Sequence, residues 1–89
     1  MRLRFTRGAN RDLVRLRDFI ARHDPRAAAR VSKRLGRTIR LLRDQPALGQ
    51  PVEELPDVRE LVAGDYLVRY ATQDDSVVIL RIWHGREFR

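Results

Sequence analysis

Two predicted helices, each with one apolar stripe of helical period, lie only two residues apart in this chain. The first stripe predicts a helix from Gly8 or Asn10 to about Arg22, and the second stripe predicts a helix from Pro25 to about Arg43. Their apolar positions recur every three or four residues: Ala9, Leu13, Leu16 and Ile20, then Ala28, Val31, Leu35, Ile39 and Leu42. Thr6 or Asn10 is expected to cap the first helix, and Asp24 the second. Because only His23 and Asp24 separate the helices, they must fold back as an antiparallel hairpin.

Four strands are predicted around this hairpin. Leu3 and Phe5 alternate with arginines in a first strand from Arg2 to Phe5. Three more strands are predicted over Val58–Ala63, Tyr66–Thr72 and Val77–Trp83, with connections short enough for hairpins. The segment between the second helix and Val58 is predicted to be irregular. The order β-α-α-β-β-β indicates an α+β fold in which the helical hairpin packs on one face of a small antiparallel sheet.

Strict alternation assigns the two faces of this sheet. The helix-facing set is predicted to be Tyr66, Val68 and Tyr70 in one strand with Val78, Leu80 and Ile82 in the next. The opposite face would carry Leu67, Arg69, Val77, Ile79, Arg81 and Trp83. An exposed face that mixes large apolar and cationic side chains is a candidate binding surface.

Length and charge limit the class of protein. A chain of 89 residues is expected to form one domain over residues 1–89, because half of it could not bury a core of its own. Without an apolar run of about 20 residues or a signal-peptide pattern, we expect a cytoplasmic protein with no membrane partner. Residues 1–43 carry a net charge of +11 and residues 44–89 a net charge of −4. This imbalance suggests an acidic or polyanionic partner, although GC-rich coding would also produce the 18 arginines among the 19 basic residues.

Most catalytic chemistries lack the residues they need. The chain has no cysteine, and neither Ser32 nor Ser76 lies near an expected base. No spacing of histidines and carboxylates indicates a metal site, and no glycine-rich loop could hold a nucleotide, so we expect no metal and no cofactor. His84 follows the last predicted strand, where an active-site residue could lie. Any catalysis would rest on arginines, His84 or a tyrosine acting on a phosphodiester.

Five short motifs occur in a characteristic order. They are Asp24-Pro25-Arg26-Ala27-Ala28, Pro46-Ala47-Leu48-Gly49, Val58-Arg59-Glu60-Leu61, Tyr66-Leu67-Val68-Arg69-Tyr70 and the stretch from Val78 to Arg86, which contains Trp83-His84-Gly85. Together with the order of the predicted elements, they resemble the RelE/ParE superfamily of toxins from bacterial type II toxin–antitoxin systems. The resemblance covers nearly the whole chain.

The superfamily has two main branches, and the resemblance implies different residues for each. RelE-like members are ribosome-dependent ribonucleases that cut messenger RNA with a cluster of lysines and arginines and often a C-terminal tyrosine. Three positions of that cluster are occupied in this chain by residues unable to neutralise phosphate: Val58, Glu60 and Leu67. Only Arg86 matches, and Phe88 is the aromatic residue nearest the tyrosine position. A register slip of one residue would bring Arg59 or Arg69 into the cluster.

ParE-like members lack that cluster and are similar to this chain in the length of the helical hairpin and in the His-Gly-Arg ending. The resemblance favours this branch, which implies a non-catalytic toxin that binds and inhibits DNA gyrase. The candidate target-binding residues are Arg69, Arg81, Trp83, His84, Arg86 and Phe88. The alternative for these positions is structural: Trp83 would pack against the C-terminus, and the arginines would pair with Asp65, Asp74 or Glu87.

The resemblance also implies a cognate antitoxin with an acidic amphipathic C-terminal segment. The basic half of the chain suits such a segment. The candidate antitoxin-binding residues are Arg11, Arg15, Arg22, Arg30, Arg34 and Arg37, whose alternative role is to solvate the outer faces of the helices. The resemblance is compatible with direct binding of nucleic acid by this chain but does not require it. A RelE-like ribonuclease, and an inactive member that only binds an antitoxin, are the other two hypotheses.

Overall fold

A helical hairpin covers one face of a five-stranded sheet. The computed structural model describes residues 1–85 and contains β1 (Arg2–Phe5), α1 (Arg7–His23), α2 (Ala28–Leu41), β2 (Gln50–Pro51), β3 (Val58–Ala63), β4 (Tyr66–Gln73) and β5 (Ser76–His84). The order of the strands in the sheet is β1-β5-β4-β3-β2. The predicted α+β architecture is therefore confirmed. Within residues 1–85, no helix has the length and apolar character that crossing a membrane requires.

The ends of the helices follow from their capping groups. Thr6 caps α1, because its Oγ1 accepts a hydrogen bond from the Ala9 amide at 3.0 Å. Asp24 makes the expected contact, since its Oδ1 accepts from the Ala27 amide at 3.1 Å. Residues 25–27 nevertheless form a turn, and α2 begins three residues later than predicted. α2 also ends earlier, at Leu41, where residues 42–44 continue as a turn.

Two features of the sheet differ from the prediction. β1 runs parallel to β5, with Arg2 opposite Ser76 and Phe5 opposite Ile79, so one strand pair is not antiparallel. The hairpin of α1 and α2 lies between β1 and the other strands in the sequence, which leaves the direction of β1 free of any local turn. β2 lies in the segment predicted to be irregular and pairs Gln50 with Glu60. Two residues, one of them proline, are too few to show an alternating pattern.

A β-bulge in β5 changes which side chains face the helices. Arg69 lies opposite Arg81 while Tyr70 lies opposite Ile79, so Leu80 has no partner across the β4–β5 pair. The bulge reverses the alternation, and Val77 and Ile79 are fully buried against the hairpin. The prediction that Val78 and Leu80 would face the helices is therefore wrong. The predictions for Ile82 and for Tyr66, Val68 and Tyr70 of β4 are confirmed.

The loop between α2 and β2 is held by one buried tyrosine. The Tyr70 hydroxyl donates to the Pro46 carbonyl at 2.7 Å and accepts from the Gly49 amide at 2.8 Å. Arg59 donates to the Gly49 carbonyl at 2.7 Å. A Cβ atom on Gly49 would lie 2.7 Å from the Glu60 carbonyl oxygen and 2.9 Å from the Tyr70 ring. Residue 49 must therefore be glycine for β2 to reach β3.

We expect Gly49→Ala to lower the free energy of unfolding by about 2–3 kcal/mol, because the added methyl group meets backbone that cannot move aside. Gly36→Ala is the matched control, since its Cβ would approach only the flexible end of Arg40, at 3.2 Å. In the middle of α2 that change should stabilise the protein by about 0.5–1 kcal/mol. Urea denaturation of both variants checks the pair, and equal effects would contradict the steric argument.

Candidate functional site

The face of the sheet opposite the hairpin carries a tryptophan between two arginines. Arg69 lies directly across from Arg81, and Leu67 across from Trp83, so these side chains share one face. The Arg69 guanidinium carbon lies 5.4 Å from the centroid of the Trp83 ring, and that of Arg81 lies 5.2 Å from it. Both distances are typical of cation–π contacts. The structure therefore brings together three of the six candidate target-binding residues.

Each of the two guanidinium groups is also paired with a carboxylate. Arg69 bonds to Glu60 Oε2 through Nε at 2.8 Å and Nη2 at 2.6 Å. Arg81 bonds to both oxygens of Asp12, at 2.8 and 3.2 Å. These partners are Glu60 and Asp12 rather than Asp65 or Asp74, and Glu87 lies outside the described residues. These contacts form a continuous row across the face, which we call the Trp83 row: Glu60, Arg69, Trp83, Arg81 and Asp12. The two carboxylates of the row neutralise its two guanidinium groups.

Asp12 anchors this row from α1. Its side chain is 2% exposed, and besides Arg81 it accepts from the Ile82 amide at 2.8 Å and from Arg15 Nη1 at 2.6 Å. Arg15 Nη2 also donates to the Ile82 carbonyl at 3.2 Å. Asp12 was not among the predicted site residues. The available signal was its place in the first helical stripe, three residues after Ala9 and four before Leu16, where a carboxylate must be buried.

The electrostatic state of Asp12 depends on these donors. Burial favours the neutral acid and by itself would raise the pKa of Asp12. Hydrogen bonds from Arg81, the Ile82 amide and Arg15 outweigh burial, and they lower the pKa of Asp12 below its ordinary value of 3.8. Asp12 is therefore ionised at neutral pH and holds the Arg81 guanidinium in a bidentate geometry.

The other three candidate target-binding residues lie elsewhere. His84 is buried on the helix-facing side, where its ring centroid lies 5.0 Å from that of Phe19 and 5.1 Å from that of Tyr66. It does not share the face of Trp83. Arg86 and Phe88 lie outside the described residues.

The candidate antitoxin-binding arginines fall on two surfaces. On α1, Arg11 and Arg15 line a shallow groove with Val14, which is 59% exposed. On α2, Arg34 and Arg37 line a second groove with Thr38 and Leu41. The remaining two, Arg22 and Arg30, are exposed at opposite ends of the interhelical turn.

The positions of a RelE-like cluster also lie on the face of Trp83. Through the pairing of β3 with β4, Val58, Glu60 and Leu67 share it. Glu60 is neutralised by Arg69, and Arg59 points to the other side, where it binds the Gly49 carbonyl. The two arginines that a register slip would bring into the cluster are thus both held by other groups. Residues 1–85 also contain no cluster of three histidines or carboxylates that could hold a metal ion.

The known proteins that this chain resembles in sequence are toxins. A family model described as the ParE toxin of the type II toxin–antitoxin system, parDE, matches residues 3–88. A protein from Caulobacter vibrioides named Toxin RelE1 is 38% identical over 85 residues, which cover 91% of this chain and 89% of that protein. A putative toxin, Y4kP, from Sinorhizobium fredii is 38% identical over 88 residues, covering 97% and 90% of the two chains.

Two solved structures are also similar. A chain of the chromosomal ParDE toxin–antitoxin system from P. aeruginosa superposes with a TM-score of 0.81 and 25% identity, covering 94% of this chain and 95% of that chain. A chain of the RelBE2 toxin–antitoxin complex from Mycobacterium tuberculosis superposes with a TM-score of 0.63 and 33% identity, covering 93% and 95%.

We expect Asp12→Asn to destabilise the protein by about 3 kcal/mol at pH 7, because it leaves Arg81 and Arg15 without their buried counter-charge. Because the pKa of Asp12 is lower in the folded protein, the Asp12 carboxylate contributes its full stabilisation of the fold above the ordinary pKa of 3.8. That contribution is lost as the pH falls through the lower pKa of the folded state. The difference between wild type and variant should therefore shrink in acid. Urea denaturation at pH 7, 5 and 3 measures it, with the exposed Asp18→Asn as control. A difference independent of pH would contradict the assigned role.

Proposed function

This chain belongs to the ParE toxin family of type II toxin–antitoxin systems, and we propose that it inhibits DNA gyrase by binding, without catalysis of its own. The observation that favours the ParE-like branch of the superfamily over the RelE-like branch is the ion pair between Arg69 and Glu60. A ribonuclease needs uncompensated cations where charge develops on the phosphate. Here the face that would carry them has a carboxylate, two apolar residues and an arginine already neutralised by that carboxylate.

The Trp83 row is the proposed contact surface for gyrase. Tryptophan and arginine are the residues that contribute most to protein–protein binding, and here the indole is fixed between two guanidinium groups before the target arrives. The side chains of Arg69 and Arg81 remain 34% and 47% exposed, so a target protein can reach both guanidinium groups. Arg86 and Phe88, which lie outside the described residues, stay proposed target-binding residues, and we assign His84 to supporting the row from the buried side.

The proposed second partner is a cognate antitoxin. The two solved relatives described above come from toxin–antitoxin systems. An amphipathic helix needs an apolar anchor with complementary charge around it, and Val14 between Arg11 and Arg15 supplies both. Arg22, Arg30, Arg34 and Arg37 would form the basic rim that faces the acidic residues of the antitoxin.

A RelE-like messenger RNA endoribonuclease is the second candidate function. The name of the Caulobacter vibrioides relative, Toxin RelE1, favours it. An assay with purified gyrase, relaxed plasmid and ATP separates the two: loss of supercoiling with accumulation of cleaved plasmid, reversed by antitoxin, supports gyrase inhibition. Unchanged supercoiling by a folded protein that still arrests growth would overturn it, and cleavage of messenger RNA on translating ribosomes would then be measured. Antitoxin binding without either activity would indicate an inactive member.

We expect Trp83→Ala to weaken gyrase inhibition at least 10-fold, because it removes the large contact area at the centre of the row. Arg69→Ala should weaken it in the same direction. Leu55→Ala, which truncates an exposed apolar side chain of the loop before β3, is the control and should leave inhibition unchanged. The concentration that halves supercoiling is measured for each variant after circular dichroism has verified folding. Full potency of folded Trp83→Ala would remove this face from the target contact.

A further inference from the structure

The whole net charge of the chain resides in one segment. Residues 26–43 contain seven basic side chains and no acidic one, while the other 71 residues contain twelve of each. The net charge of +7 is therefore that of residues 26–43, which comprise α2 and most of the turns at its two ends. A charge so confined produces a local positive potential that a balanced surface does not.

Helical geometry gathers these charges into one arc. At 100° per residue, five basic side chains of α2 fall within about 120° of the helix circumference, centred opposite the buried Leu35 and Ile39. They are Arg30, Lys33, Arg34, Arg37 and Arg40, and we call them the α2 arc. All five are exposed, and none has an ion-pair partner among residues 1–85. The arc spans about 15 Å along the helix axis.

Besides attracting an acidic antitoxin, as proposed above, the α2 arc has the chemistry of a phosphate-binding surface. Between residues 30 and 40 every exposed side chain is basic except Ser32, so the apolar contact that the arc offers an amphipathic helix is limited to Leu41 at its C-terminal end. The arc lacks the aromatic side chains on which single-stranded nucleic acids stack. A band of cations about 15 Å long instead suits the closely spaced charges of a duplex, about one per 1.7 Å of axis. The major groove of B-form DNA admits an α-helix, whereas the deep, narrow major groove of duplex RNA does not.

We propose that the α2 arc binds the phosphate backbone of duplex DNA directly. This binding goes beyond the proposed inhibition of gyrase and does not depend on it, because the α2 arc lies on the hairpin side of the sheet, whereas Arg69, Arg81 and Trp83 lie on the opposite face. In a complex of gyrase with its DNA, the arc would place the toxin on the nucleic acid while the Trp83 row contacts the enzyme.

Fluorescence anisotropy of a labelled 20-base-pair DNA duplex with the full chain, between 50 and 300 mM salt, tests the proposal. The logarithm of the affinity should fall with the logarithm of the salt concentration with a slope of about −4.5, as five phosphate contacts require. The test variant combines Arg30→Gln, Lys33→Gln and Arg37→Gln. The control combines Arg2→Gln, Arg4→Gln and Arg7→Gln, which removes the same charge from exposed residues outside the arc.

The test variant should bind at least 10-fold more weakly at 100 mM salt and reduce the slope by about 2 to 3, whereas the control should change affinity less than about threefold. Equal losses in the two variants would reduce the effect to net charge and overturn the site. Equal affinity for an RNA duplex of the same sequence would overturn the assignment to DNA. Competition by poly-glutamate as effective as that by unlabelled duplex at the same charge would assign the arc to an acidic protein instead.

Discussion

The buried carboxylate of Asp12 is the interaction on which the arrangement of this fold depends. A buried charge is tolerated only when its partners and hydrogen bonds compensate its lost hydration. Asp12 meets that requirement with two arginines and one backbone amide, which come from α1 itself and from β5. The same contacts fix α1 against the sheet and hold Arg81 beside Trp83. One carboxylate thus links the packing of the hairpin to the geometry of the exposed face.

The outer edge of β5 explains why α1 must lie where it does. β1 pairs with β5 only as far as Ile79, beyond which the edge would present unpaired backbone groups. Thr6 takes over first, because its amide donates to the Ile79 carbonyl and its hydroxyl to the Leu80 carbonyl in the bulge. Asp12 and Arg15 then satisfy the amide and the carbonyl of Ile82. The start of α1 therefore satisfies the backbone groups that a further strand would otherwise pair with. This covers an edge of the sheet that could otherwise pair with another chain.

Periodic patterns made most of the fold predictable, and the misses have local causes. β1, β3 and the hairpin were predicted because alternation or helical spacing persists over four or more residues. The bulge at Leu80 breaks that alternation, and a single unpaired residue leaves no trace in the pattern of apolar positions, so Val78 and Leu80 were assigned to the wrong face. β2 is too short to have a pattern. The candidate site was predicted in part: Arg69, Arg81 and Trp83 do converge. The partner of Arg69, Glu60, lies across the predicted β3–β4 hairpin, whereas Asp12 lies 69 residues before Arg81, and no local pattern reveals that contact.

The two proposed surfaces differ in how their charge is used, and that difference follows from the structure. In the Trp83 row each guanidinium already has a carboxylate, so a partner gains little from long-range attraction and must be recognised by close contact and shape. In the α2 arc the positive charge has no counterpart among the described residues, so it acts at a distance and loses its influence as salt screens it. Because the sheet separates the two, attraction to a polyanion on one side leaves the neutralised row on the other side free for a specific protein. Under the two proposals, DNA binding would raise the local concentration of the toxin near gyrase, and the row would then select the enzyme.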